Sequence, residues 1–109
     1  MKSEFEQLDM LLQTIKERRN ADPKESQVAK LLKKGPLKIA KKLGEEAVET
    51  AIAAASADRG QVVYESSDLL FHLLVLWQSM NIQPAEVMQE LSRREGVSGI
   101  AEKAARPKE

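Results

Sequence analysis

The chain has 109 residues, of which 42% are hydrophobic and 31% are charged, a composition typical of one soluble globular domain rather than of a disordered segment. Seventeen basic residues balance seventeen acidic ones, so no net charge attracts nucleic acid or an acidic membrane. The absence of cysteine excludes disulfides and thiolate metal sites and fits a reducing cytoplasm. The charged segment 1–10 is not expected to be a signal peptide, and the longest apolar run, 69–77, is too short to span a bilayer.

The first half of the chain predicts three helices. Residues 4–19 place apolar side chains at helical spacing, with Ser3 as the N-cap. The Asp22-Pro23 pair stops this helix. A short helical segment follows, 27–34, and Pro36 suits the first turn of a long helix that runs to about residue 57.

The second half predicts two further helices. Gly60 is expected near the C-cap of the preceding helix, and the next helix runs over about 61–80. Pro84 opens a last helix, which Gly96 ends, and the tail 96–109 is expected to be partly irregular. We interpret residues 1–109 as a single domain.

These elements predict an all-α fold, a bundle of four to five helices, because no alternating strand pattern occurs. The run 69–77 is apolar on nearly all sides of its helix, which is typical of a buried central element. One short chain has few helices to surround it. We therefore expect a homodimer to complete the bundle.

Acidic residues are concentrated on two of the predicted helices. In "KLGEEAVETAIAAA", residues 42–55, Glu45, Glu46 and Glu49 occupy little more than one turn. At about 100° per residue, Glu46 borders the apolar side of this helix and Glu49 lies next to it. Glu65 and Asp68 are i,i+3 neighbours at the start of the apolar run. Unpaired burial of such charges would cost several kcal/mol each, so a cation is expected beside them.

Two kinds of cation satisfy this requirement. Lys38, Lys41 and Lys42 precede the first acids on the same helix and could form solvated ion pairs with Glu45 and Glu46. Alternatively, two acid pairs on adjacent antiparallel helices could hold a divalent ion such as Mg²⁺, which prefers oxygen ligands and is often shared with substrate phosphates. The two pairs together favour the metal.

The acid pattern also supports a family resemblance. "EEAVE" followed after fifteen residues by "ESSD" resembles the signature of the MazG-like all-α nucleoside-triphosphate pyrophosphatases. The flanking segments "SQVAKLLKKGPLKIAKKLGEEAVETAIAA", "ESSDLLFHLLVLW" and "RREGVSGIAEKAARP" are similar to the phosphoribosyl-ATP pyrophosphohydrolases of histidine biosynthesis. The resemblance covers residues 5–106.

The resemblance implies a reaction and a set of catalytic residues. It implies Mg²⁺-dependent hydrolysis of the α–β phosphoanhydride of phosphoribosyl-ATP, giving phosphoribosyl-AMP and pyrophosphate. By similarity, the metal ligands would be Glu46, Glu49, Glu65 and Asp68. Glu45 would lie in an outer position or orient water, which completes the expected catalytic set. Which carboxylate acts as the general base is left open.

A substrate with a triphosphate and a ribose phosphate also requires cationic side chains. Lys34 flanks the turn before the acidic helix, and Lys38 lies on the acid side of that helix. Gly35 lies at the N-terminus of the same helix, where backbone N–H groups can bind phosphate. Arg94 and Lys103 belong to the tail motif and are further candidates for substrate binding. His72, the only histidine, is interpreted as a core residue rather than a catalytic one.

Two alternative functions remain open at this stage. One is a house-cleaning pyrophosphatase that prefers a dNTP or NTP, which shares the acid motif. The other is a non-catalytic helical dimerisation module, whose acids pair only with lysines. The main hypothesis is a cytoplasmic enzyme with a small-molecule nucleotide substrate and no nucleic-acid or membrane partner.

Overall fold

The structure, a computed structural model, describes residues 3–95, 103–104 and 106–107. Within these ranges the chain forms five α-helices and no strand, which confirms the predicted all-α fold. Helix α1 comprises Glu4–Glu17 and continues into a 3₁₀ turn at Arg18–Asn20. The other helices are α2 (Gln27–Lys34), α3 (Pro36–Ala55), α4 (Arg59–Ser79) and α5 (Pro84–Arg94). The predicted stop at Gly96 and the irregular tail 96–109 fall mostly outside the described residues.

Three of the helices begin at a side chain that caps them. Ser3, Ser26 and Asp58 precede α1, α2 and α4, and each accepts a hydrogen bond from the backbone N–H three residues later, at 3.1 to 3.2 Å. Such a bond satisfies one of the N–H groups that the first turn leaves without an intrahelical partner. The starts of these helices are therefore encoded locally.

A single glycine separates α2 from α3. Gly35 has φ +89° and ψ 168°, a backbone conformation that is essentially restricted to glycine. Pro36 then occupies the first helical position of α3, where its fixed φ suits the helix and its missing N–H costs nothing. The two helices can therefore change direction within one residue.

The link between α3 and α4 differs from the prediction. Gly60 was expected near the C-cap of α3, but α3 ends at Ala55 and Ala57 takes the left-handed conformation, with φ 56°. Asp58 caps α4, so Gly60 lies in its first turn. The Asp58 cap determines where α4 begins, and glycine is not needed at the turn.

The hydrophobic core lies at one end of the α3–α4 hairpin. Helix α1 packs on α4, and α2 packs on α3 and α4. The buried cluster consists of Ile15, Val28, Leu31, Ile39, Leu74 and Val75. In the apolar run, Leu74 and Val75 are buried, whereas Leu70 is 43% exposed. None of the described helices combines the length and the apolar character that crossing a membrane requires.

The middle of the α3–α4 hairpin has a polar interior. Between residues 40 and 73 the only buried residues are Glu46, Ala53, Glu65 and His72. No large aliphatic side chain is buried in this segment, so the hairpin encloses carboxylates where a structural bundle would place leucines. Burial of charge at this density indicates a functional site.

Candidate functional site

Three carboxylates converge between α3 and α4. Glu46 and Glu49 lie three residues apart on α3, and Glu65 lies on α4. One oxygen from each of the three lies within 4.8 Å of the others. Glu46 and Glu65 are only 4% and 7% exposed, whereas Glu49 is exposed. The two helices thus bring together acids that are distant in sequence, as the spacing predicts.

The two buried carboxylates have oxygens without hydrogen-bond partners. Glu65 accepts a hydrogen bond from Gln61 through Oε1, at 2.8 Å. Oε2 of Glu46 and Oε2 of Glu65 are buried, and neither has a partner within the described part of the chain. An unpartnered buried carboxylate oxygen is costly unless a cation compensates it. Oxygen ligands in this number fit a hard divalent ion.

Lysine pairing accounts for part of the acidic charge. Lys42 Nζ lies 3.4 Å from Glu46 Oε1 and 4.0 Å from Glu45 Oε2. The hydrogen bond and the charge of Glu46 raise the pKa of the Lys42 ammonium above its usual value. Across the described residues, Lys38 and Lys41 form no ion pair with these acids. The lysine interpretation therefore accounts for one oxygen of Glu46 and one of Glu45, and it leaves Glu65 without a cationic partner among the described residues.

Asp68 and His72 extend the polar interior along α4. Asp68 is half-buried and lies outside the group of three carboxylates. Its backbone carbonyl accepts a hydrogen bond from His72 Nδ1, at 2.7 Å. Because a carbonyl can only accept, Nδ1 carries the proton. His72 Nε2 is buried without a partner in the described structure. Sequence reasoning treated His72 as a core residue, although Asp68 four residues earlier was a signal that it lies beside the acids.

A wide groove opens beside the acids. It has a volume of about 1090 Å³, and its lining includes Glu45 and His72. Seven lysines of the described part of the chain also line it: Lys24, Lys30, Lys33, Lys34, Lys38, Lys41 and Lys42. A concave surface with this many ammonium groups is suited to a ligand with several negative charges.

The predicted phosphate ligands are divided between this groove and other surfaces. Lys34 and Lys38 line the groove. The Gly35 N–H donates to Leu32 O at 3.2 Å, and Pro36 has no N–H, so the amides of the first turn of α3 that remain for a phosphate are those of Leu37 and Lys38. Arg94 lies on α5, where its Nε is 3.1 Å from Glu90 Oε1. Arg94 and the exposed Lys103 are not among the residues that line the groove.

Comparison with known proteins assigns the chain to a family. Residues 8–95 match the family described as phosphoribosyl-ATP pyrophosphohydrolase. A phosphoribosyl-ATP pyrophosphatase of Rhizorhabdus wittichii is 60% identical over 101 residues, which cover 93% of this chain and 95% of that protein.

Two further relatives carry the same name. The protein of Parvibaculum lavamentivorans is 57% identical over 106 residues, which cover 97% of each chain. The protein of Azospirillum brasilense is 52% identical over 99 residues, which cover 91% of this chain and 89% of that one. The match spans the acid cluster and the groove, and the chain belongs to the phosphoribosyl-ATP pyrophosphohydrolase family.

Proposed function

We propose that this protein hydrolyses phosphoribosyl-ATP between its α- and β-phosphates, releasing phosphoribosyl-AMP and pyrophosphate, an early step of histidine biosynthesis. The observation that carries the proposal is the pair of buried carboxylate oxygens, on Glu46 and Glu65, beside a groove lined by seven lysines. Relatives at 52% to 60% identity are named phosphoribosyl-ATP pyrophosphatase. We assign the protein to the cytoplasm, which the absence of cysteine also fits.

Glu46, Glu49 and Glu65 would hold Mg²⁺, and Asp68 would complete the ligand set. Asp68 follows Glu65 by one turn and is half-buried, so it can reach the ion directly or through a water molecule. When bound, Mg²⁺ supplies charge neutralisation on the phosphoanhydride. The buried, unpartnered oxygens support a bound cation, and the all-oxygen donor set favours a hard ion over a softer transition metal.

The side chains around the groove would bind and orient the substrate. Lys34 and Lys38 would donate charge-assisted hydrogen bonds to phosphate oxygens. The free amides that follow Gly35 in the first turn of α3 would add backbone donors. Glu45, whose side chain is half exposed and which lines the groove, would orient the attacking water. Arg94 and Lys103 are retained as candidate substrate ligands.

Metal-dependent melting and a substrate panel test this function together. Mg²⁺ should raise the melting temperature in the absence of nucleotide, since binding to the folded state alone stabilises it. Phosphoribosyl-ATP should then be hydrolysed with a higher kcat/KM than ATP or any common dNTP. A preference for a dNTP would indicate a house-cleaning pyrophosphatase. Neither metal-linked stabilisation nor turnover would indicate a non-catalytic helical module.

We also propose that the protein is a homodimer. Among the residues that the structure describes, eleven large hydrophobic side chains are exposed and eight hydrophobic residues form the buried core. On α3, Val48 and Ile52 are 59% and 60% exposed, and on α4 Val63 is 60% exposed. Apolar surface of this extent supports association with a second copy.

A further inference from the structure

Lys42 belongs both to the acid cluster and to the groove. Its ammonium lies 3.4 Å from Glu46 Oε1, and the same side chain lines the groove together with six other lysines. Glu46 is 4% exposed, whereas the Lys42 side chain is 47% exposed. The carboxylate is therefore held in place by its surroundings, while the lysine retains space to turn outward.

Lys42 and a divalent ion would compete for the same carboxylate, Glu46. Glu46 Oε1 carries the lysine contact and Glu46 Oε2 has no partner within the described chain. A divalent ion bound by Glu46, Glu49 and Glu65 would place further positive charge close to the Lys42 ammonium. Like charges at such distances repel, and the repulsion is strong where water is excluded.

We propose that Lys42 is an exchangeable counter-ion, which pairs with Glu46 until a divalent ion binds and then turns into the groove to bind a phosphate oxygen of the substrate. The proposal rests on the proposed function and adds a substrate-binding residue to it. The released ammonium would lie beside the scissile phosphates because Lys42 is one turn from Glu46 on α3. Lys42 thereby couples metal binding to nucleotide binding.

The proposal predicts two effects of opposite sign when the ammonium is removed. In Lys42→Met the metal no longer competes with a lysine for Glu46, so the Mg²⁺ dissociation constant without nucleotide should fall about two- to fivefold, since the lysine of this pair is half exposed and the pair is correspondingly weak. With Mg²⁺ saturating, one charge-assisted hydrogen bond to phosphate is missing, so KM for phosphoribosyl-ATP should rise roughly tenfold.

Lys41→Met is the matched control, because Lys41 lines the same groove but is not paired with the acids in the described structure. The Mg²⁺ midpoint, measured by thermal melts without nucleotide, should change in Lys42→Met but not in Lys41→Met. Lys42→Arg keeps the charge and should return both the Mg²⁺ midpoint and KM towards the wild-type values. This third variant remains informative if Lys42→Met folds poorly.

The possible results separate this inference from the proposed function. Equal Mg²⁺ midpoints in the two methionine variants, or weaker Mg²⁺ binding in Lys42→Met, would overturn the counter-ion role and indicate a structural ion pair. A raised Mg²⁺ affinity with an unchanged KM would refute the second half, the transfer to substrate. Wild-type protein that neither binds Mg²⁺ nor hydrolyses phosphoribosyl-ATP would instead refute the proposed function.

Discussion

Glu65 is the residue at which the metal hypothesis makes its sharpest prediction. Replacing Glu65 by Gln keeps the shape of the side chain and removes one charge from a cluster that repels itself. Without Mg²⁺ the variant should be as stable as wild type or slightly more stable. With Mg²⁺ it should gain less stability, and turnover of phosphoribosyl-ATP should fall by on the order of 10² or more. Thermal melts at several Mg²⁺ concentrations, paired with initial rates, measure both effects.

Asp9→Asn provides the control for this experiment, because Asp9 lies on α1 and is exposed. It removes the same charge from the molecule away from the cluster and should leave the Mg²⁺ response unchanged. Asp68→Asn probes the proposed fourth ligand, and its effect should be smaller than that of Glu65→Gln because Asp68 lies outside the group of three. A fully active Glu65→Gln enzyme with wild-type Mg²⁺ dependence would contradict the proposed ligand set.

The sequence predicted the arrangement of the acids only in part, and it did not predict which hydrogen bonds each acid makes. The i,i+3 spacing placed Glu46 and Glu49 on one side of a helix, and Glu65 lies with them in the structure, whereas Asp68, which was expected beside them, lies outside the group. Which oxygens lack a partner depends on the packing of α3 on α4. The position of His72 Nε2 depends on a hydrogen bond to a backbone carbonyl. Side-chain periodicity carries no information about either.

The arrangement of α2 and α3 beside the groove depends on the backbone conformation of Gly35. Gly35→Ala should destabilise the protein by about 1–3 kcal/mol, because alanine is strained at the positive φ of this turn. The added Cβ would meet no atom within 4 Å, so strain alone produces the loss. The turn also positions Lys34 and Lys38, so KM for phosphoribosyl-ATP should rise. Chemical denaturation and steady-state kinetics provide the two readouts.

Gly60→Ala is the matched control for the turn. Gly60 lies in the first turn of α4, and its added Cβ would meet only Asp58 Oδ1, at 3.9 Å. Alanine there should stabilise the protein by about 0.4–1 kcal/mol, since it restricts the unfolded chain without straining the helix. Two Gly→Ala changes in one chain should thus have opposite signs. Equal effects would show that backbone conformation at Gly35 is not the cause.

Helix α5 is predicted to weaken in acid. Hydrogen bonds from Arg93 and Arg94 lower the pKa of Glu90 from 4.5 to about 2. Because the pKa of Glu90 is lower in the folded protein than in the unfolded chain, its ionised form stabilises the folded state. This contribution should be complete above about pH 4.5 and should disappear as the pH falls towards 2. Glu90→Gln should therefore show a shallower loss of α5 helicity over this window. Because the groups are exposed, added salt should reduce the difference between the two proteins.

Hydrogen exchange in α5, followed from about pH 6 down to about pH 2 in both proteins, measures this effect locally. Such a readout is needed because α5 buries none of its residues, so it can open without unfolding the rest of the molecule. Identical pH profiles for wild type and Glu90→Gln would show that the ion pairs contribute nothing to the helix.

The presence of each helix was more predictable from the sequence than the residues at which it ends. Ser3 and Pro36 identified the starts of α1 and α3 because caps and N1 prolines act locally. The end of α3 was predicted at about residue 57 and lies at Ala55, but the glycine expected near its C-cap, Gly60, belongs to α4, and Ala57 takes the left-handed conformation. The residue that occupies this position depends on how α4 packs against α3. A local sequence pattern holds no information about that packing.

Replacing one exposed apolar side chain by a charged one is predicted to change the oligomeric state of the protein. Ile52→Glu puts a carboxylate on α3, at a position that is 60% exposed in one chain and that a partner copy would bury. The wild-type protein should sediment as a dimer at micromolar concentration, and the variant should shift to a monomer because burying an unpaired charge is costly.

Leu91→Glu serves as the control, because Leu91 is 57% exposed on α5 and carries a comparable apolar side chain away from the hairpin. It should remain dimeric. A wild-type protein that sediments as a monomer would refute the dimer proposal. The sequence suggested association through its apolar run, but exposure of Val48 and Ile52 on a different helix became visible only once α3 and α4 were packed.

The lysine-lined groove gives an electrically neutral chain a polarised surface. The formal net charge is zero and the isoelectric point is about 6.6. From these values alone, ligand binding would not be expected to depend on ionic strength. Seven ammonium groups around one concavity nevertheless focus positive potential over a Debye length of about 8 Å in physiological salt. Capture of a polyanion should thus be electrostatically steered, with kcat/KM falling as KCl rises, and the molecule should adsorb to a cation exchanger even near its isoelectric point.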